Sequence, residues 1–319
     1  MHIPDGLLDL RTSAGTVLLA GAGLVWSGRE LKSRWHDRTT PLLGVMAAFV
    51  FAGQMVNFPI PGGTSGHLLG GALAATLLGP AAATLALTVV LMVQCLLFQD
   101  GGITALGANV LNLALIGVWS AHGVNRVVRR AVAGPRGIRL GTTIGGWVSV
   151  VLASAACAME LALAGLSPWR LVLPAMTITH AVIGVGEALI TGAVVAFVMQ
   201  VRPDLVYANT APQRSSWKSF VLPGLAGSLG IAILLGPLAS KLPDGLDRIV
   251  GQLGMVGRPV PAGSAPLADY TVPGVGSPWL AEIIAAFLGT VIAFALAVGL
   301  ATIWVRWMHR SPSASRPQR

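Results

Sequence analysis

FPIPGGTSGHLLGGALAATLLG, residues 58–79, cannot be one regular helix. Two prolines and three glycines fall in its first nine residues, a composition that makes turns. From His67 to Gly79 the chain is apolar, but it reaches only ~20 Å at helical rise. A bilayer core is about 30 Å thick. A broken, re-entrant segment is therefore expected, and a membrane protein tolerates one only where the backbone is packed in protein or lines a cavity. Thr64 or Ser65 is expected to cap the short helix. His67 then sits in the first turn, where the helix dipole favours a neutral imidazole.

The rest of the chain sets this segment in a membrane. Charged residues are 10% of the sequence and hydrophobic ones 54%, against roughly 25% charged in ordinary soluble domains. Repeated apolar stretches of spanning length give the fold class: an all-α polytopic membrane protein. Spans are expected at about 13–28, 42–57, 67–79 (the short one), 80–98, 104–124, 141–163 and 173–200. Two more follow, at about 218–238 and 278–305, separated by a long loop with PDGL at 243–246 and PLADYTVPG at 266–274. Cys95 and Cys157 fall inside spans and read as small buried hydrophobes, not as a disulfide. The run from Ala14 to Trp26 after Arg11 loosely fits a signal peptide. The basic segment RELKSRWHDR behind it, residues 29–38, argues instead for a span anchored on the cytoplasmic side.

The net charge of +9 is no nucleic-acid signal. Of the 21 Lys and Arg, all but Arg11, Arg170, Lys241, Arg248 and Arg258 fall in segments 29–41, 124–141, 201–218 and 306–319. By the positive-inside rule those segments face the cytoplasm. The N-terminus is then outside, the C-terminus inside, and the basic tail RWMHRSPSASRPQR is expected to be disordered. The residue 1–6 stretch, the 58–67 loop, the QDGG turn at 99–102 and the 239–277 loop all fall on the outer side.

The chain opens MHIPDG. The α-amine of Met1, the backbone amide nitrogen of His2 and the His2 ring can close fused chelate rings around one divalent ion. Square-planar nitrogen coordination suits Ni(II) and Cu(II), and His67 is the best candidate for the fourth nitrogen.

Four stretches carry a resemblance: MHIPDG at 1–6, PGGTSGHLLGG at 61–71, FQDGGITALGANVLN at 98–112 and THAVIGVGEALIT at 179–191. In this order and spacing they resemble the substrate-binding component of nickel/cobalt energy-coupling-factor transporters, over residues 1 to about 203. The remainder resembles the small accessory membrane subunit of the same systems, fused to the C-terminus. The resemblance implies a seven-helix core at 1–203, a linker at 204–217 and a two-helix module at 218–319. It implies Ni2+ or Co2+ as cargo, held by the Met1 amine, the His2 amide and ring, and the ring of His67. It also implies partners: a transmembrane coupling protein and two cytoplasmic ATPase subunits, in the inner membrane of a bacterium. MHIPDG is closer to the nickel members than to the cobalt members, which often read MHIMEG.

Several polar residues have two readings. Asp5 is a turn residue, or it orients an imidazole. Ser65 and Asn109 are candidate supports of the ligands, as are Gln99 and Asp100, which otherwise make a tight turn. Asn109 and Asn112, three apart, are expected to tie the outer loops together. Glu160, His180 and Glu187 are costly in a membrane and read as a structural network or a proton path, with Glu160 and His180 near the outer surface. Gly44, Ala48 and Ala52, spaced by four, permit close helix approach, within the chain or to the coupling protein.

An ATP site is absent from the sequence: none of Lys32, Lys218 and Lys241 follows a glycine, so there is no phosphate-binding loop. Without H-E-x-x-H a membrane metalloenzyme is disfavoured, and the chain is read as a transporter subunit, not an enzyme. A stand-alone proton-coupled carrier is the competing function.

Overall fold

Asp9 starts the first helix. Its carboxylate accepts the backbone N–H groups of Arg11 and Thr12, satisfying donors that a helix start leaves open. Helix α1 runs Leu10–Lys32, with Arg29 and Lys32 in the last turn against the C-terminal end of the dipole. The computed structural model describes residues 1–207, 217–258 and 265–310, the last four by backbone alone. Most of the expected linker and all of the tail after residue 310 lie outside the described residues.

The chain is mostly helical. Helix α2 is Thr39–Met55, and a two-stranded antiparallel hairpin follows, β1 Phe58–Ile60 paired with β2 Thr64–Gly66. Gly62 and Gly63 turn it with φ of +97° and +80°, a region that favours glycine. Helix α3 is Gly71–Leu78, α4 is Pro80–Val93, and α4 passes into a π-helical turn at Gln94–Phe98. Helix α5, Leu106–Asn109, runs through a π-helical stretch at Val110–Gly117 into α6, Val118–Ala131. Helices α7, Gly134–Leu163, and α8, Trp169–Val201, are long and packed on each other. After the linker come α9 Lys218–Leu234, the short α10 Gly245–Gln252 and α11 Pro278–Arg310.

Among the described residues, five helices are long and apolar enough to cross a membrane: Pro80–Phe98, Gly134–Leu163, Trp169–Val201, Lys218–Leu238 and Pro278–Arg306. Helix α2 is apolar but shorter.

The structure corrects the sequence reading at three places. The short helix begins at Gly71, not at His67, and its N-cap is Gly70 with φ +78°. Thr64 and Ser65 therefore cap nothing; they belong to the hairpin. The basic stretch between the spans expected at 104–124 and 141–163 is not a loop but the ends of α6 and α7, with the turn confined to residues 132–133. Arginines spaced along two helix ends keep their charge exposed without leaving the helix. Third, Gly44 faces another part of the same chain: a Cβ there would meet Val298 and Phe294 of α11 at 2.5 and 3.0 Å. Ala48 and Ala52 are fully buried. The small-residue face of α2 thus receives α11.

Candidate metal centre

The first residues of the chain run as an extended segment into the protein. Met1, His2 and Ile3 are all buried. Asn109 anchors them: its Oδ1 accepts Ile3 N–H at 2.8 Å and its Nδ2 donates to the Ile3 carbonyl at 3.1 Å. This two-point clamp works beside the Gly102 N–H, which also donates to the Ile3 carbonyl at 2.8 Å. Asp5 fixes the neighbouring turn, accepting the N–H groups of Ile103 and Thr104 at 3.1 and 2.8 Å. The Thr104 hydroxyl also donates to Asp5, at 2.5 Å. Asp5 therefore holds the loop against which His2 lies, as the turn reading has it, and makes no contact with an imidazole.

His67 follows the hairpin and is buried at 6% exposure. Its Nδ1 is 3.0 Å from the Leu68 carbonyl. That contact places the proton on Nδ1 and leaves the Nε2 lone pair free. Nε2 faces the Met1 amine at 3.0 Å. Two cis nitrogens bound to one metal at about 2.1 Å stand about 3.0 Å apart, so this pair already has the spacing of cis ligands. The His2 and His67 rings are 5.2 Å apart at their centroids, with planes 4° from parallel.

The His2 ring is held at one nitrogen only. Nδ1 lies 2.9 Å from Asp100 Oδ1, while Nε2 is buried without a partner. Asp100 in turn accepts the Tyr270 hydroxyl at 2.6 Å. Of the QDGG turn, Asp100 thus reaches an imidazole. Gln99 is exposed and in the left-handed region at φ +59°, a turn residue outside the site.

The loop between α9 and α11 closes the site. The Met1 amine pairs with Asp244, which also N-caps α10 by accepting Asp247 N–H at 2.8 Å. Asp244 lies in a parallel bridge with Ser65. The Ser65 N–H and hydroxyl donate to the Pro243 and Leu242 carbonyls at 2.9 and 2.8 Å, and the Thr64 hydroxyl donates to Pro243 at 3.0 Å. Ser65 thus ties hairpin to loop and does not touch the ligands. The two PDGL turns do different work: Asp5 braces a turn of its own side, Asp244 reaches the amine. Sequence reasoning missed Asp244 and Tyr270. The only signal was the recurrence of PDGL, which says nothing of which way the second copy faces.

Burial works against a charge on the Met1 amine, but the Asp244 carboxylate outweighs it and leaves the amine more basic than usual. Burial, helped by the nearby ammonium and His2, lowers the His67 ring to about 3, so it is neutral at physiological pH. Burial would raise Asp100 and Asp244. The His2 ring and the Met1 amine respectively more than offset this and hold both carboxyls below their ordinary range.

The three costly intramembrane residues sit elsewhere. Glu187 accepts Leu69 and Gly70 N–H at 2.6 and 3.1 Å, fixing the loop that carries His67. His180 Nδ1 rests on the Met176 carbonyl at 2.8 Å and lies under Gly245. Glu160 accepts Asn112 Nδ2 at 2.6 Å, so Asn112 does not tie loops as Asn109 does. Both Glu160 and His180 are buried, not bathed in outer water.

Residues 2–205 match the family described as cobalt uptake substrate-specific transmembrane region, and residues 218–306 match the PDGLE domain. The chain is 38% identical over 304 residues to a putative fused nickel transport protein of Archaeoglobus fulgidus, covering 94% of this chain and 98% of the relative. It is 32% identical to a fused nickel transport protein of Rhodobacter capsulatus, over 92% and 95% of the two chains. A crystal structure of a truncated transition metal transporter superposes with a TM-score of 0.58 at 36% identity, covering 63% of this chain and 99% of that one. The chain therefore belongs to the family of cobalt-uptake substrate-specific transmembrane proteins, and carries a PDGLE domain behind that region.

Proposed function

We propose that this protein captures Ni2+ at its outer face for an energy-coupling-factor importer, with Co2+ as the second cargo. The observation that carries the reading is the Met1 amine 3.0 Å from a lone pair of a buried, neutral His67. The His2 amide and ring lie between them in sequence and complete four nitrogens. Such a set makes a strong planar field, which suits a d⁸ ion and offers nothing to Zn(II). A six-membered chelate ring with the His2 amide closes through Nδ1. That atom here faces Asp100, so loading turns the His2 ring about its Cβ–Cγ bond. Asp100 stays with Tyr270.

Residues 1–203 serve as the binding core and 218–319 as an accessory module, with the N-terminus outside and the C-terminus cytoplasmic. With no nucleotide site in the chain, energy comes from a separate coupling protein and two ATPase subunits. The alternative of a proton-coupled carrier is disfavoured, because Glu187 and His180 are engaged by backbone and not by each other. The test is nickel uptake in a host with and without the ATPase partners. Dependence on them is expected, and equal uptake without them overturns the reading.

A further inference from the structure

Loading exchanges the charge of the Met1 ammonium for an equal net charge on the proposed chelate. Beforehand the Met1 ammonium carries one positive charge. In the proposed chelate the amine is neutral, the His2 amide has lost its proton and both imidazoles are neutral. The ion's two positive charges less the amide's negative one again leave a single positive charge. A buried charge without a partner is strongly unfavourable, and the carboxylate on the amine is Asp244. Its position is fixed from three directions. One oxygen caps α10, the other meets Met1, and its backbone bridges to Ser65, two residues before His67. The neighbouring carboxylate, Asp100, faces the His2 ring before loading and stays with Tyr270 after it.

We propose that Asp244 of the PDGLE segment is the counter-ion of the loaded chelate, so that this segment supplies a positioning residue to a site whose ligands all lie in the first 67 residues. The inference rests on the four-nitrogen reading above. The ammonium holds the carboxylate in place until the metal chelate takes over the same charge. The appended segment is then coupled to metal occupancy by charge, not by a bond to the ion.

Three substitutions separate charge from capping. Asn and Ser are good N-caps without charge, while Glu carries the charge and is not among the preferred N-caps. Nickel chloride is titrated into the purified full chain against a competing chelator. Asp244→Asn and Asp244→Ser are expected to raise the nickel Kd roughly tenfold or more, and Asp244→Glu to recover most of it. Wild-type affinity in the Asn variant with loss in the Glu variant makes Asp244 a cap only, and overturns the proposal. Tighter binding in the Asn variant makes it a blocking anion, and equal loss in all three makes shape decisive; either overturns it. His67→Gln is titrated in parallel: if it keeps wild-type affinity, the four-nitrogen reading has failed, whatever Asp244 does.

Discussion

Asn109 contributes two hydrogen bonds, yet it sets where the first residues of the chain lie. Replacing it with Ala leaves the buried Ile3 N–H unpaired, at a cost of about 1–3 kcal/mol, while the Ile3 carbonyl keeps the Gly102 N–H at 2.8 Å. The cost falls on the N-terminal segment that carries Met1 and His2. Asn109→Ala should therefore keep its melting temperature within a few degrees and lose roughly tenfold or more in nickel affinity. An unchanged affinity would show that Met1 and His2 are held without the clamp. His67→Gln keeps most of the side-chain volume and removes the aromatic nitrogen, so it should accumulate in membranes normally and lose tight binding. Failure to accumulate would make His67 structural. At the same scale, acid acts through the amine and not through His67. The Met1 amine is more basic than usual and must shed its proton to bind metal. His67 is already neutral above about pH 4. Nickel affinity should rise with pH across neutrality, with about two protons released per ion, from the amine and the amide. A pH-independent affinity between pH 6 and 8, or calorimetry showing no proton release, would show that neither group is a ligand.

Among the elements, the loop from Leu68 to Gly70 matters most, because it presents His67 and has no strand or helix of its own. Its amides are satisfied by Glu187 from α8. A Gln in that place turns one acceptor into a donor facing an N–H. Glu187→Gln should lower stability by about 1–3 kcal/mol and weaken nickel binding, although Glu187 touches no candidate ligand. Thermal unfolding in detergent, run beside a nickel titration, checks this; no change in either would leave the loop supported by something else. This coupling was half legible in the sequence. A glutamate inside an apolar stretch announces a partner, but its partner is backbone, and backbone leaves no signature. The same limit explains the short helix. Pro59, Pro61 and the glycines promised a broken segment, and it is broken, but a hairpin consumes Thr64 to Gly66 before any helix can start. The spacing of Gly44, Ala48 and Ala52 promised a close helix, and a close helix is there. Spacing cannot say that it belongs to the same chain, in α11.

For the whole molecule, the C-terminal segment is attached at two levels. In the apolar layer α11 lies along α2, with Phe294 and Val298 over Gly44. At the outer face the 239–277 loop touches the core repeatedly: Ser240 N–H donates to the Asn57 carbonyl at 2.8 Å, Arg258 N–H to Gly6 at 2.8 Å and Leu267 N–H to Leu97 at 2.9 Å. The loop thus crosses the hairpin, the N-terminal segment and the QDGG turn, which together carry or flank every proposed ligand. Removing residues 217–319 strips both levels but takes no ligand away. The truncated chain should still bind nickel, more weakly than the full chain because Asp244 is lost. Its uptake, with coupling protein and ATPases supplied, should fall further than its affinity, since the outer loop that packs on the N-terminal segment during loading is also gone. The outcomes sort the contributions. Uptake restored by adding residues 217–319 as a separate chain would mean that docking alone suffices and the fusion only raises local concentration. Normal uptake by the truncated chain would refute a role for the segment in loading, whatever its contacts. Loss of all nickel binding would mean that the core cannot hold the Met1–His67 geometry by itself, and that Asn109 and Glu187 are insufficient without the loop above them.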